Sequence, residues 1–411
     1  MSDTPNPKLA PAQRGRVRWL GLLRLVAGLA ILAWVVTGLN WRDRLVLGDG
    51  AGATWSVPGT IEGDWKSDTI RFRVAADAAT PSDAPPELAA LDAGTALGVQ
   101  RRAADDVAGW TWEPSMQRVF RQLEGGNLAL AMLCFLGGLA FVTLRWMRLL
   151  ALAGCRTGFL GTLRLSLLGL FFNQVMPGVT GGDLVKGVLA AREHPGRRAD
   201  AAVSVIVDRL FGLLALATLG TVVVLASGDA FAPLRVPLIA LLVVGALGAT
   251  AYTSRLLREG LGIKRLVARL PLADTLRSID RAALLYLRHP FELGTALMLS
   301  VTNHLVVILG CVFLGRAIGV PVTDVGWSDY FVIVPVANIV SALPLAPGGW
   351  GVGEWVYKFL FEMRGASGAL GVALSLVFRL SQLVFGLVGG IYLLVPGARA
   401  ELGTLEERPA A

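Results

Sequence analysis

The sequence predicts an all-α polytopic membrane protein: about six spanning helices, two oppositely oriented re-entrant hairpins and a small β-rich extracytoplasmic insert. Three observations carry this. The 411 residues are 54% hydrophobic and only 17% charged, more apolar surface than one or two soluble cores bury. Apolar runs long enough to cross a bilayer alternate with arginine-rich borders. Two polar, glycine-rich stretches, Phe171 to Lys186 and Asn338 to Glu354, lie between apolar segments. Irregular backbone cannot face lipid, because each unpaired N–H or C=O costs several kcal/mol; it must be buried in protein or line a cavity.

Taken in order, residues 1–39 are a polar, cytoplasmic N-terminus and a first span. Arg14, Arg16, Arg18 and Arg24 precede or enter the apolar run Trp19 to Leu39, and the positive-inside rule places that end in the cytoplasm. Without a small-x-small site before Asn40, the run reads as an uncleaved anchor. Residues 40–127 change to the composition of an extracytoplasmic insert. Thr54 to Val57 and Thr69 to Val74 read as strands, Pro58-Gly59 and Glu62-Gly63-Asp64 as turns, and Ala78 to Glu87 as an irregular linker. Trp41, Trp55, Trp65, Trp110 and Trp112 serve as the core of such a module or as a stacking surface for a ligand. An extracytoplasmic partner for the insert is a further expectation.

Residues 128–395 form the membrane domain and 396–411 a cytoplasmic tail. Leu128 to Leu144 spans and is closed by Arg145, Arg148 and Arg156. The segment from Phe159 starts from this basic border and ends at another, Arg192 to Arg198, so it enters and returns on one side, with Pro177-Gly178 as the breaking point and Gly181-Gly182 allowing close approach. Ala201 to Ala226 crosses outward, Ser227-Gly228-Asp229 turns, and Leu234 to Tyr252 returns. Eight basic residues between Arg255 and Arg288 mark an amphipathic helix on anionic headgroups or a solvated charged face. Phe291 to Leu314 crosses outward, Tyr330 to Leu343 goes in, Pro344 to Gly353 turns, Glu354 to Phe361 comes back, and Ala369 to Val395 crosses to the cytoplasm.

The two glycine-rich stretches echo each other. Pro177 precedes Arg209 and Pro347 precedes Arg379 by the same 32 residues, and an acid follows each proline, Asp183 after six and Glu354 after seven. A broken-helix unit repeated with opposite orientation is a transporter architecture, with its site near mid-membrane. Ionised groups there cost at least about 2.5–3.5 kcal/mol each, so Asp183, Lys186, Asp208, Arg209, Glu354 and Arg379 are expected to be paired or to face water. The binding site expected from these stretches comprises Asn173, Pro177, Gly178, Gly181, Gly182, Asp183, Lys186, Asp208, Arg209, Asn338, Pro347, Gly348, Gly349, Gly351, Glu354 and Arg379. Arginine suits a phosphate, because its planar fork donates two parallel hydrogen bonds. Arg209 and Arg379 would hold a lipid phosphate, while Asp183 and Glu354 orient them or receive a cationic group; the alternative is that acid and arginine pair only to hold the hairpins.

Other classes fit poorly. The net charge of +8 sits beside apolar runs, and no basic soluble fold carries it to nucleic acid. Cys134, Cys155 and Cys311 are far apart in apolar surroundings and imply no disulfide framework. Asn303-His304 lies inside a span and reads as a hydrogen-bonded packing histidine or as a proton relay, and His194 and His289 lie elsewhere, so no metal pattern arises and no cofactor is expected. No nucleophile elbow and no phosphate-binding loop leading to a lysine and serine is present, so no enzyme chemistry and no energy source is named.

Asn173 to Lys186 with Asp208-Arg209-Leu210, and Pro347 to Glu354 with Arg379, resemble the lysylphosphatidylglycerol synthase transmembrane-domain family of flippase-like proteins. The resemblance covers Leu128 to Val395. It implies a multi-pass inner-membrane protein that moves a phospholipid or polyprenyl-linked lipid between leaflets. Larger members add a soluble aminoacyl-transferase domain; the residues after Val395 are too few for one, so lysyl transfer is not expected. A membrane enzyme or accessory subunit acting on a lipid-linked substrate, and a membrane scaffold, are the alternatives.

Overall fold

Alternation of apolar and polar residues gives way to continuous apolar runs near residue 125, and the fold changes from sheet to helix at the same place. The computed structural model describes residues 41–49, 54–78, 84–100, 108–175, 181–254, 280–281, 284–342 and 351–392. The expected first span at Trp19 to Leu39, most of the arginine-rich segment after Arg255 and the tail 396–411 lie outside these residues.

Five strands, β1 (Asp43–Asp49), β2 (Thr54–Glu62), β3 (Thr69–Val74), β4 (Ala96–Gln100) and β5 (Ala108–Glu113), form an antiparallel sheet in the order β4-β3-β2-β1-β5. Period-2 patterning is visible in β3, where Ile70, Phe72 and Val74 are buried and the residues between them exposed. Trp65 and Trp112 are core residues, and Trp112 Nε1 donates to Trp65 O at 2.8 Å; Trp41 is 56% exposed. Pro58-Gly59 is not a turn but the middle of β2. The proline is tolerated because β3 has ended opposite it: its carbonyl accepts from Ala75 N at 3.0 Å, and its missing N–H faces the end of the ladder. The linker after Ala78 ends in a short helix, α1 (Pro86–Ala89).

Asp43 closes the sheet onto α2 (Met116–Arg121). Its carboxylate accepts from Ile61 N at 2.9 Å, Ser115 N at 2.7 Å and Arg118 Nη2 at 2.8 Å. Burial pushes the pKa of this group up, but the Arg118 guanidinium and the two backbone donors outweigh it and hold the carboxyl below its usual range.

The helical part comprises α3 (Gly125–Leu152), α4 (Phe159–Val175), α5 (Gly181–Glu193), α6 (Arg198–Ala226), α7 (Arg235–Thr253), α8 (Pro290–Ile318), α9 (Tyr330–Ser341), α10 (Val352–Met363) and α11 (Gly368–Tyr392). Among the described residues five helices are long and apolar enough to cross a membrane: α3, α6, α7, α8 and α11. At 1.5 Å per residue, α4, α5, α9 and α10 reach only about 18–26 Å, short of a hydrocarbon core about 30 Å thick.

Packing arranges these helices as two groups of four, α3 to α6 and α8 to α11. Within each group the first helix packs on the second and the fourth, and the third packs on its two neighbours. Between groups α3 packs along α8, while α4 packs on α11 and α9 on α6, a reciprocal exchange. Close approach at the α4–α11 contact needs glycine, since a Cβ on Gly389 would stand 2.3 Å from Leu167 O. Leu133, Leu184, Val222, Val236, Phe291 and Ile391 are exposed on the outside, as expected of a lipid-facing surface.

The sheet is seated on one end of the helices. Glu124 N donates to Ala317 O at 2.9 Å, Ser367 Oγ to Glu113 Oε1 at 3.3 Å, and Trp65 and Lys66 cover Gly319, the left-handed cap of α8.

Candidate functional site

Two short helices begin in the middle of the helical body, and each carries an acid in its first turn: Asp183 in α5 and Glu354 in α10. A carboxylate there offsets the positive end of the helix and accepts its unpaired N–H groups. Glu354 Oε2 accepts from Gly351 N at 2.6 Å, and its Oε1 lies 2.5 Å from Arg379 Nε and 3.2 Å from Ser375 Oγ. In the other group Asp183 Oδ2 meets Arg209 Nε at 2.5 Å. Acid and arginine therefore pair in both halves, each from a short helix to the long helix that follows.

Gly182 and Gly353 hold equivalent places one residue before these acids. A Cβ at Gly182 would fall 1.9 Å from Gly169 O, and one at Gly353 2.3 Å from Arg379 Nη2. Asn173 fixes the start of α5, accepting from Gly182 N at 2.8 Å.

Asp208 pairs with neither flank of its own sequence. Its Oδ1 accepts from Arg145 Nε at 2.7 Å, and its Oδ2 lies 3.8 Å from Lys186 Nζ. The ammonium of Lys186 rests over the Trp146 ring, 4.0 Å from its centroid, while Arg145 Nη1 donates to Ser300 Oγ at 2.8 Å. Arg145 was expected to end a span as a cytoplasmic border charge. Instead α3 continues to Leu152 and Arg145 is 4% exposed inside the body; Arg148 and Arg156 are the exposed pair. Nothing in its sequence neighbourhood separates Arg145 from Arg148. Only the acid brought opposite it by α6 does.

These groups surround one cavity of about 420 Å³. Asn173, Asp183, Lys186, Asp208 and Arg209 line it from the first group, Asn338 and Arg379 from the second. Gly181, Gly182, Gly351 and Glu354 sit directly behind it at the starts of α5 and α10. Pro177, Gly178, Pro347, Gly348 and Gly349 lie outside the described residues. Sequence reasoning missed Arg145, Ser166 and Asn303 as lining residues. Among the described residues four basic side chains, Arg145, Lys186, Arg209 and Arg379, and two acidic ones, Asp183 and Asp208, line the cavity, with Glu354 behind it against Arg379, so basic groups outnumber acidic ones by one. His304 packs as expected, its Nε2 donating to Gly212 O at 2.9 Å.

Fold and site together define a multi-pass helical membrane protein with a charged cavity between two helical groups. The family model described as "Lysylphosphatidylglycerol synthase TM region" matches residues 110–390, and the chain belongs to that family. The match begins at β5 rather than at the first long helix, so it takes in the segment that seats the sheet on the membrane part. No curated protein matches the sequence.

Proposed function

We propose that this protein is a lipid flippase-like transporter of the plasma membrane, moving a phospholipid or polyprenyl-linked lipid between leaflets through the charged cavity. The observation that carries the reading is the cavity itself, built jointly by both helical groups and lined by two arginines at equivalent places, with more basic than acidic side chains around it among the described residues. A buried cation in excess of its carboxylates suits an anion taken from lipid, and a phosphodiester supplies one negative charge and the acceptor oxygens for an arginine fork. Asp183 and Glu354 hold Arg209 and Arg379 in place, Lys186 and Arg145 are held through Asp208, and the glycines let the short helices approach closely.

The short helices α4–α5 and α9–α10 are two re-entrant hairpins, the first entering from the cytoplasm and the second from outside. The reciprocal α4–α11 and α6–α9 packing supports an inverted repeat, because a two-fold axis in the membrane plane generates such exchanged contacts. In this orientation both termini are cytoplasmic and the β-sheet module is extracytoplasmic. Rocking of one group against the other about the cavity would expose the headgroup site to each leaflet in turn, with acyl chains remaining in lipid.

Reconstituted vesicles with a fluorescent phospholipid test this. Arg209→Ala and Arg379→Ala are each expected to lower transfer between leaflets at least about tenfold, the worth of one charge-assisted hydrogen bond. Unchanged transfer in both variants would overturn the assignment.

A further inference from the structure

Arg145, Lys186, Arg209 and Arg379 line the cavity, and of these Lys186 alone can give up its proton, since a guanidinium stays charged at any accessible pH. Each arginine has a carboxylate of its own. Arg209 and Arg379 hold Asp183 and Glu354, and Arg145 Nε takes Asp208 Oδ1 at 2.7 Å, which leaves Lys186 Nζ 3.8 Å from Oδ2, beyond hydrogen-bond distance. Lys186 is buried between the Trp146 ring and the backbone of α4, where a Cβ on Gly169 would come within 3.1 Å of its Cδ. Asp208 and Arg209 face it from α6, Arg145 from α3 and Asp183 from the preceding turn of α5; Arg164, the charged residue of α4, is bound to Glu193. The two acids and two arginines around Lys186 balance one another, so its ammonium finds no net counter-charge until an anion enters.

We propose that Lys186 couples lipid movement to protons, taking one up when an anionic headgroup enters the cavity and giving it back when the headgroup leaves. This rests on the reading of the cavity as a lipid phosphate site. On entry the neutral Lys186 amine gains one proton from water and becomes the ammonium that pairs with the phosphodiester; on exit that N–H bond breaks and the proton returns to water on the other side. The loaded cavity therefore differs from the empty one by a lipid anion and a proton together, with no net charge. A pH difference across the membrane then drives lipid toward the leaflet on the alkaline side, about tenfold in leaflet ratio per pH unit at full coupling. Coupling requires a lysine at this place, because an arginine would carry its charge through both halves of the cycle.

The test uses the purified full-length protein in detergent, titrated by calorimetry with dioctanoyl phosphatidylglycerol and with a short-chain polyprenyl phosphohexose. Each titration is run in two buffers of different ionisation enthalpy, and the difference in heat counts the protons taken up per lipid. Both probes are phosphodiesters that do not titrate between about pH 6 and 9, so uptake in that range belongs to the protein. Uptake is expected to rise to about one proton per lipid within it. Binding without uptake at every pH overturns the coupling and leaves the phosphate reading standing, whereas failure of both probes to bind overturns both. Lys186→Arg and Lys186→Met cannot titrate there, and each is expected to abolish uptake; uptake that persists in either overturns the assignment to Lys186. His304, the other titratable base lining the cavity, is checked by His304→Gln, and loss of uptake in that variant while the unmodified protein shows it moves the coupling to His304 and overturns the assignment. In vesicles holding the unmodified protein and a pH difference, fluorescent phosphatidylglycerol is expected to gather in the leaflet on the alkaline side. Equal leaflets under that gradient overturn the coupling without any variant.

Discussion

Removing Arg145 puts the buried ion network to a quantitative test. Arg145 Nε stands 2.7 Å from Asp208 Oδ1, both side chains are nearly inaccessible, and Lys186 is a second cation 3.8 Å from the same carboxylate. Breaking a buried pair on one side costs about 3–5 kcal/mol, most of it the uncompensated charge left behind. In Arg145→Met, Lys186 remains to neutralise Asp208, so the loss should fall at the lower end, about 3 kcal/mol. In Asp208→Asn two cations lose their shared anion, and the loss should be larger. The double variant Arg145→Met/Asp208→Asn removes both partners of the closer pair and leaves only Lys186 without its anion, so it should lose less than the sum of the singles, by more than about 1 kcal/mol of coupling. Equilibrium unfolding in mixed micelles, with denaturing detergent as the variable, measures all three. Additive losses, or a smaller loss in Asp208→Asn than in Arg145→Met, would refute the shared-carboxylate arrangement.

Gly182→Ala places a methyl 1.9 Å from Gly169 O, backbone against backbone, and should destabilise the α4–α5 contact by about 1–3 kcal/mol and reduce lipid transfer; Gly125→Ala, whose added methyl meets no atom, serves as the control. The Asp43 carboxyl is held below its usual range in the folded state, so its contribution is complete above the unfolded value and drains away as pH falls through the folded one. The sheet module should therefore lose stability below about pH 4, followed by fluorescence of the buried Trp65 and Trp112, and Asp43→Asn should cost about 2 kcal/mol at neutral pH and flatten that pH dependence.

The long helices were legible because lipid imposes a simple demand on sequence, a continuous apolar run of sufficient length, and α6, α7, α8 and α11 begin or end within a few residues of the expected places. The strand at Thr69–Val74 was legible from alternation, whereas Pro58-Gly59 was misread as a turn. Turn chemistry is local, but a proline facing the end of a ladder depends on where the neighbouring strand stops. Of the site, the charged residues beside the glycine-rich stretches stood out because charge in an apolar run is conspicuous. Arg145 did not, since an arginine near the end of a run reads as a border whichever way its side chain turns.

Spacing also linked the two halves through Pro177 and Pro347, but it related only a glycine-rich stretch and the arginine-bearing helix after it in each. The preceding helices α3 and α8 belong to the same pattern by packing, and their sequences carry no matching motif.

Sequence by itself determined that the chain inhabits a membrane, where polar, glycine-rich stretches interrupt its apolar runs, and that acids and arginines recur there at matched distances. These are properties of short segments, set by hydropathy and backbone hydrogen bonding. Tertiary structure alone decided which acid holds which cation, that Asp208 serves Arg145 and Lys186 rather than its neighbour Arg209, and that these side chains converge on one cavity. Pairing across 63 residues, as between Arg145 and Asp208, is fixed by which helix faces pack together, and no local pattern encodes that.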